Sequence, residues 1–212
     1  MSMDGYSPEY EKENQDFSKY YSFTTNKVIT NLFMLADGHG PIGHTASATA
    51  IDLLSHKLEQ KFADHAETDI TDEFIKKALA DSFEEIQLKF KSDSENAYKY
   101  SGTTMVCALI RKNVLYLASV GDSKGFLASK NGSSIVPSLV TKDHKPDVEE
   151  EKDRILKAGG MIGPYLDADK QPNGPNRVWN KAMTEPGLAT SRTLGDISGH
   201  NFGVSHVPGS PN

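Results

Sequence analysis

The chain has 212 residues, 37% of them hydrophobic, and a formal net charge of -6. Acidic and basic residues are interspersed, so no basic stripe is available to neutralise a nucleic-acid backbone. No apolar run approaches the length of a membrane span, and the first residues carry neither a secretion signal nor a myristoylation site. We therefore expect a single domain over residues 1–212, cytoplasmic or nuclear, with no nucleic-acid or membrane partner. The composition leaves the oligomeric state open.

The first predicted elements are one strand and two helices. Residues 28–36 form an apolar run typical of a buried strand, which leads directly into Asp37-Gly38-His39-Gly40. Apolar residues at spacings of three and four predict a helix over residues 46–62. Thr71 is predicted to cap a second helix, with its apolar face running over residues 75–90.

After the second helix the apolar pattern changes to the period of strands. Residues 104–110 and 114–120 are predicted to form an antiparallel hairpin, and residues 126–129 and 134–140 to continue it as a meander. Asp147 is predicted to cap a further helix that ends at Gly159-Gly160, and residues 167–176 are predicted to be a polar loop. Two long helices between an early strand and a later antiparallel set indicate an α+β layered domain.

Asp37 and His39 lie where the first predicted strand ends. The strand fixes the backbone at this point, as the edge of an active site requires. The flanking glycines allow a sharp turn, so that the Asp37 carboxylate and the Gly38 carbonyl can face one cation. Oxygen ligands of this kind favour a hard metal ion. The dipeptide alone is more typical of an ordinary Asp-Gly turn at the end of a strand, and the motifs elsewhere in the sequence favour the metal site.

Several separated segments share this style of an apolar element ending in Gly or Asp. They are Asn14-Gln15-Asp16, Asp37-Gly38-His39-Gly40, Ser101-Gly102-Thr103-Thr104 and Val120-Gly121-Asp122-Ser123. Three further motifs follow in order: Asp143-His144-Lys145-Pro146, the segment from Glu151 to Gly160, and the run from Pro186 to Asp196. This ordered set resembles the metal-dependent protein phosphatase family of the 2C type. The resemblance runs from about residue 12 to about residue 208, and residues 37–44 are most similar to plant and protist members.

The resemblance implies a four-layer α-β-β-α sandwich, in which two antiparallel sheets are flanked by helices. It also implies a cleft that holds two Mn2+ or Mg2+ ions and hydrolyses phosphoserine and phosphothreonine in phosphoprotein substrates. A water between two such cations becomes a better nucleophile, and the cations neutralise the phosphoryl oxygens during in-line attack.

Carried over position by position, the resemblance assigns Asp37 as the carboxylate between the two metals and the Gly38 carbonyl as a further ligand. His39 matches the proposed general acid, for which its near-neutral intrinsic pKa is suited. A histidine that only hydrogen-bonds a metal-bound water is the alternative. Asp122 matches the carboxylate of a weaker third metal, with support of a turn as its alternative, and Asp16 matches an N-terminal metal ligand.

The N-terminal motif departs from the family pattern. The family usually has an acidic pair, preceded by an arginine that binds the substrate phosphate. Here Gln15 precedes Asp16, and Glu11 stands in the place of the arginine. Lys12 is the candidate replacement for phosphate binding, although an ammonium lacks the bidentate fork of a guanidinium. A solvated surface lysine is the alternative at this position.

The C-terminal side departs further. Two more metal carboxylates are expected after the segment that matches Gly203-Val204, but no aspartate follows Asp196. We therefore expect fewer or weaker metal ions, an incomplete sandwich at this end, and activity that is weak or absent. The alternative to an enzyme is a catalytically impaired relative that binds phosphoproteins or a regulatory partner.

Overall fold

A pair of early strands, two long helices and a series of shorter strands make up residues 13–93, 95–139 and 141–209, which the computed structural model describes. In chain order the elements are β1 (Asp16–Thr25), β2 (Val28–His39), α1 (Gly43–Ala63), a 3-10 turn (Glu67–Asp69), α2 (Asp72–Lys91), β3 (Gly102–Thr103), β4 (Met105–Arg111), β5 (Val114–Val120), β6 (Phe126–Asn131), β7 (Ser134–Leu139), α3 (Glu149–Lys157), β8 (Met161–Leu166), β9 (Pro172–Trp179), β10 (Pro186–Leu188), β11 (Leu194–Gly195) and α4 (Ile197–His200).

The largest sheet has six antiparallel strands and is organised around β2. One edge of β2 pairs with β1 along residues 28–37, and the other pairs first with β4 and then with β3. β3 and β4 are consecutive pieces of one extended segment interrupted at Thr104, and β11 pairs with β3 at the end of β2. The ends of β2, β3 and β11 therefore meet at one place, which is where the candidate site lies.

Helices α1 and α2 pack on one face of this sheet, and both agree with the predicted spans. Every second residue of β2 is buried beneath them, including Leu32, Met34 and Ala36. Full burial of a side chain of this size contributes about 1.5–3 kcal/mol. The predicted cap is confirmed, because the Thr71 hydroxyl accepts a hydrogen bond from the Phe74 backbone N–H at 3.2 Å. In the described part of the chain, no helix is both long and apolar enough to cross a bilayer.

The opposite face of the sheet is also apolar, but it is open. Phe33 and Leu35, which alternate with the buried residues of β2, remain 49% and 41% exposed. The β6–β7 hairpin borders this face, because Phe126 and Leu127 line a cavity of about 230 Å³ together with Phe33 and Leu35. An apolar outer face is what a second packed sheet requires. The α+β class with antiparallel sheets and helices is therefore confirmed.

The sequence predicted the β4–β5 hairpin correctly, whereas the meander beyond it is different. Lys112 and Asn113 have φ of 48° and 62°, as a tight type I′ turn requires. However, β6 and β7 pair only with each other and form a separate two-stranded sheet. Residues 121–125 carry the chain away from the edge of β5, so the ladder does not continue.

Two local predictions in the later part of the chain are wrong. Asp147 does not cap α3, which begins at Glu149 behind Val148 without any side-chain cap. Three consecutive glutamates in its first turn favour the positive end of the helix instead. The segment predicted as a polar loop contains most of β9, which pairs with both β8 and β10. An irregularity between Gly163 and Tyr165 accommodates the glycine and prolines that obscured this strand in the sequence.

A buried carboxylate joins α3 to the segment before β11. Glu151 is 1% exposed and accepts hydrogen bonds from Arg192, Arg154 and Ser191 at distances of 2.5 to 3.1 Å. Burial opposes ionisation of Glu151, but these donors outweigh it and hold the pKa of the carboxyl group well below its usual range. Beside it lies a small apolar core that contains Ile155 and Val178.

We predict that Glu151→Gln lowers the free energy of unfolding by about 3 kcal/mol, because it leaves two guanidinium groups without their buried counter-charge. The matched control is Glu150→Gln, since the neighbouring Glu150 is exposed and pairs with Lys142 at the surface. Urea unfolding at pH 7 should show a loss in the first variant and none in the second. A carboxyl group with a depressed pKa stabilises above its unfolded pKa of about 4.3, so the difference should shrink as the pH falls below that value. Equal stability of both variants would contradict this role.

Candidate active site

The strands β8, β9 and β10 form a three-stranded sheet. A cavity of about 360 Å³ lies between the end of β2 and this sheet. One wall contains three residues that the sequence singled out, Asp37, His39 and Asp122, together with Tyr100 and Thr104. The other wall is formed by β10 and the residues after it, and by the side chain at position 177 of β9. The structure thus brings the predicted residues together, although Asp37 and Asp122 are 85 positions apart in the sequence.

Two acidic side chains, Asp37 and Asp122, line the first wall. Asp16 lies directly opposite Asp37 in the β1–β2 pairing, close enough for its charge to act on the Asp37 carboxyl group. Partial burial raises the pKa of Asp37, and the nearby carboxylates of Asp16 and Asp122 raise it further. Like charges directly opposite on paired strands repel each other. A bound cation would relieve this repulsion.

Thr104 fixes the backbone of Asp37 from both sides. Its backbone N–H donates to the Asp37 carbonyl at 3.0 Å, and its hydroxyl accepts from the Asp37 N–H at 3.0 Å. The same hydroxyl lies 2.7 Å from that of Ser123, beside Asp122. Thr104 therefore connects the loops that carry two of the carboxylates. The sequence motif at residues 101–104 includes Thr104, but the sequence alone does not indicate that it connects these loops.

The glycine at position 38 is required by close packing. A Cβ atom there would come within 2.1 Å of the Gly43 carbonyl oxygen and 2.6 Å of that of Gln15. The Gly38 N–H donates to the same Gln15 oxygen at 3.1 Å. The Gln15 side-chain amide donates to the Gly40 carbonyl at 2.9 Å. Gln15 thus braces the glycine loop in the described structure.

His39 is held by a carboxylate that the sequence did not assign to it. The Asp196 Oδ2 atom lies 2.6 Å from His39 Nε2, and the Asp196 side chain is only 2% exposed. The backbone of Asp196 is left-handed, with φ of 45°, and its carboxylate occupies space that a Cβ at Gly102 would fill. In the described residues His39 Nδ1 has no protein partner, so this nitrogen is the one left to serve a ligand.

Gln87, on α2, holds the backbone next to Asp196. The buried Gln87 carboxamide accepts from the Gly195 N–H at 2.8 Å and donates to the Gly195 carbonyl at 3.0 Å. Burial lowers the pKa of His39, but the ion pair and hydrogen bond with Asp196 outweigh it and raise the pKa above its ordinary value. Asp37 and Asp122 add smaller contributions in the same direction.

The donor chemistry of the site fits a hard divalent cation. Asp16, Asp37 and Asp122 offer only oxygen atoms, the ligands that Mg2+ and Mn2+ prefer. Within residues 13–93, 95–139 and 141–209, no group of three or more acidic, histidine or cysteine side chains encloses a position for a metal. Asp122 also forms an ion pair with Lys145. Carbonyl oxygens, water and substrate would therefore have to complete any coordination shell.

Two candidates from the sequence have different outcomes. Lys12 lies outside the described residues, so its role in phosphate binding stays a prediction. The Gly38 carbonyl remains a ligand candidate at the end of β2. Two cavity residues were missed, Tyr100, whose hydroxyl donates to Glu185 at 2.5 Å, and Arg177. Arg177 directly follows the segment predicted to be a loop, and neither a predicted element nor a motif includes it.

We predict that Asp196→Asn lowers the pKa of His39 in the metal-free chain, because the variant removes the largest interaction that favours the imidazolium form. NMR titration of the His39 ring would measure it. Asp122→Asn is the control and should produce a smaller fall, since Asp122 contributes only a weak charge interaction. A His39 pKa that is unchanged by Asp196→Asn would contradict the observed pairing.

Comparison with known proteins identifies the family. The family model for Protein phosphatase 2C matches residues 10–211. "Probable protein phosphatase 2C 64" of Oryza sativa subsp. japonica is 33% identical over 174 residues, which cover 81% of this chain and 40% of that protein. "Probable protein phosphatase 2C 73" of Arabidopsis thaliana is 32% identical over 192 residues, covering 81% and 49%. The chain thus spans less than half the length of these relatives.

Solved structures share the fold. A serine-threonine phosphatase 2C from Toxoplasma gondii superposes with a TM-score of 0.74 at 20% identity, covering 93% of this chain and 68% of that one. A C. elegans sex determining protein gives a TM-score of 0.73 at 22% identity, covering 99% and 46%. With its motifs in order, its fold and a family match along most of its length, the chain belongs to the protein phosphatase 2C family.

Proposed function

We propose that the chain carries the active-site cleft of a metal-dependent phosphatase that hydrolyses phosphoserine and phosphothreonine in proteins. The observation that carries this proposal is that Asp37 and Asp122 line one cavity, with Asp16 directly opposite Asp37 and with a histidine held by a buried carboxylate beside them. Among the described residues neither Asp16 nor Asp37 has a lysine or arginine within ion-pair distance, which suits a cation site. Family membership supports the same chemistry.

The carboxylates would hold the cations, Mn2+ or Mg2+, with two expected in a complete site. When bound, such ions supply Lewis-acid activation of water and neutralise the phosphoryl oxygens. Asp37 would occupy the central position, because the hydrogen bonds to Thr104 fix its backbone and Asp16 faces it across the strand pair. This rigidity places the carboxylates before substrate arrives, which keeps the cost of reorganisation small.

His39 would act as the general acid. Asp196 holds Nε2 and stabilises the imidazolium form, so the opposite nitrogen, Nδ1, is the one that can donate a proton to the departing serine or threonine oxygen. An alkoxide is a poor leaving group, and its protonation is therefore needed in the step that breaks the P–O bond. Asp196 serves as a positioning residue in this scheme.

A second candidate function is a cleft that binds phosphoproteins without turnover. Two observations favour it over an active enzyme. The Gln15 side chain is engaged on Gly40 and does not supply a second N-terminal carboxylate. Asp122 is paired with Lys145, which competes with a cation for the same carboxylate. Binding of a phosphopeptide without phosphate release would distinguish this candidate.

The test of the proposed function is phosphate release from a phosphothreonine peptide in the presence and absence of Mn2+. We expect at most weak Mn2+-dependent turnover by the chain, as the sequence indicates, and a loss of roughly 100-fold or more in Asp37→Asn, since cation-assisted steps supply several kcal/mol. Asn keeps the volume of the side chain and removes its charge. Binding of Mn2+, measured by calorimetry, should weaken in parallel.

Asp81→Asn is the matched control, because Asp81 is an exposed aspartate on α2 that pairs with Lys77 and does not line the cavity. It should keep both turnover and Mn2+ affinity. Full activity in Asp37→Asn would overturn the assignment of Asp37, and phosphopeptide binding with no turnover in the unmodified chain would favour the second candidate.

A further inference from the structure

The second wall of the active-site cavity holds a positive charge that the proposed chemistry does not use. Arg177 lies near the end of β9 and lines the same cavity as Asp37, His39 and Asp122. It reaches the cavity from the three-stranded sheet, whereas the carboxylates come from the central sheet. A cation on this wall faces whatever the cavity binds.

The guanidinium group of Arg177 is fixed in place. Its Nη1 donates to the Gly187 carbonyl at 2.7 Å, and its central carbon lies 4.5 Å from the centre of the Tyr165 ring. Its Nε atom is buried without an acceptor. Its Nη2 has no acceptor in the described residues either, but this atom is not buried. One face is thus packed and one amino group is anchored, while the other amino group is left to a ligand.

Arg177 differs from the other arginines of the chain in its lack of a carboxylate partner. Arg111 pairs with Glu67, and both Arg154 and Arg192 pair with Glu151. Across the described residues, no carboxylate lies within ion-pair distance of Arg177. A half-buried guanidinium without a counter-charge is costly to keep, since its desolvation is not offset. An anionic ligand would supply the missing partner.

We propose that Arg177 binds an anionic oxygen of the phosphopeptide substrate and so contributes to the choice of substrate. This inference rests on the proposed function, because it takes the ligand to be a phosphorylated peptide. The oxygen can belong to the phosphoryl group or to an acidic side chain next to the phosphorylated residue. Both present the same acceptor to a fixed N–H donor, and charge-assisted hydrogen bonds of this kind are the strong ones.

The test is calorimetric binding of a peptide with a non-hydrolysable phosphonate in place of phosphothreonine, in the presence of Mn2+. One peptide has neutral residues on both sides of the phosphonate, and a second has glutamates there. We expect Arg177→Gln to weaken binding of at least one peptide by about tenfold, equal to about 1.4 kcal/mol. Loss with both peptides identifies the phosphoryl group as the acceptor. Loss with the glutamate peptide alone identifies the flanking side chain.

The matched control is Lys181→Gln, because Lys181 is an exposed cation just beyond β9 that does not line the cavity. It should bind both peptides as the unmodified chain does. Trp179, the single tryptophan of the chain, is buried two residues from Arg177 and reports on local folding through its fluorescence. If Arg177→Gln changes the Trp179 fluorescence, Arg177→Lys is used in its place to test the proposal. This variant keeps the charge but loses the planar contact with Tyr165. We expect it to lose part of the affinity.

Equal affinity of Arg177→Gln and the unmodified chain for both peptides, with unchanged Trp179 fluorescence, would overturn the proposal. So would full affinity in Arg177→Lys, where only the fixed guanidinium is lost. The proposed function fails in a different way, through the absence of Mn2+-dependent phosphate release. An unmodified chain that binds neither phosphonate peptide would overturn both.

Discussion

Repulsion between Asp16 and Asp37 is the constraint around which the site is built. The two residues lie directly opposite each other because β1 and β2 pair without interruption from one end to the other. A shift of one residue in this register would move Asp16 to the other face and expose the buried half of β1. The apolar residues that fix the register therefore also bring the two charges together. The cost of that arrangement is what a divalent cation would remove.

The parts of the fold that depend on local patterns could be predicted from the sequence. The strand before Asp37 and the helices α1 and α2 have long apolar periodicities, and the Thr71 cap has a specific sequence signature. Asp37, His39 and Asp122 could be chosen because each ends or follows an apolar strand within an ordered series of motifs. Their meeting in one cavity follows from the antiparallel sheet, in which β4 lies between β2 and β5, so that β2 and β5 run in the same direction and end at the same edge.

The remaining features depend on contacts between distant segments, which a single sequence does not encode in any short pattern. The pairing of His39 with Asp196 joins residues 157 positions apart and needs a left-handed backbone at an aspartate. In the sequence Asp196 is the end of the motif that begins at Pro186 and the last aspartate of the chain, and neither feature indicates that it pairs with His39. Arg177 was missed because glycine and proline residues made its strand resemble a loop, and an irregular pairing with β8 accommodates them. Asp147 fits the composition of a cap, but the helix begins two residues later.

The two walls of the cavity are supported by two separate hydrophobic cores. The carboxylate wall is part of the large core beneath α1 and α2, whereas the wall that carries Arg177 is supported by the small core around Ile155 and Val178. Glu151 connects them, because it binds Arg192 in the segment that leads into β11 and Asp196. The buried ion pair of Glu151 therefore contributes, together with the small core, to the position of the wall that carries Arg177. Under the role proposed for Arg177, changes in β8 to β10 would alter which anionic peptides the cleft accepts while the carboxylates and His39 keep their places.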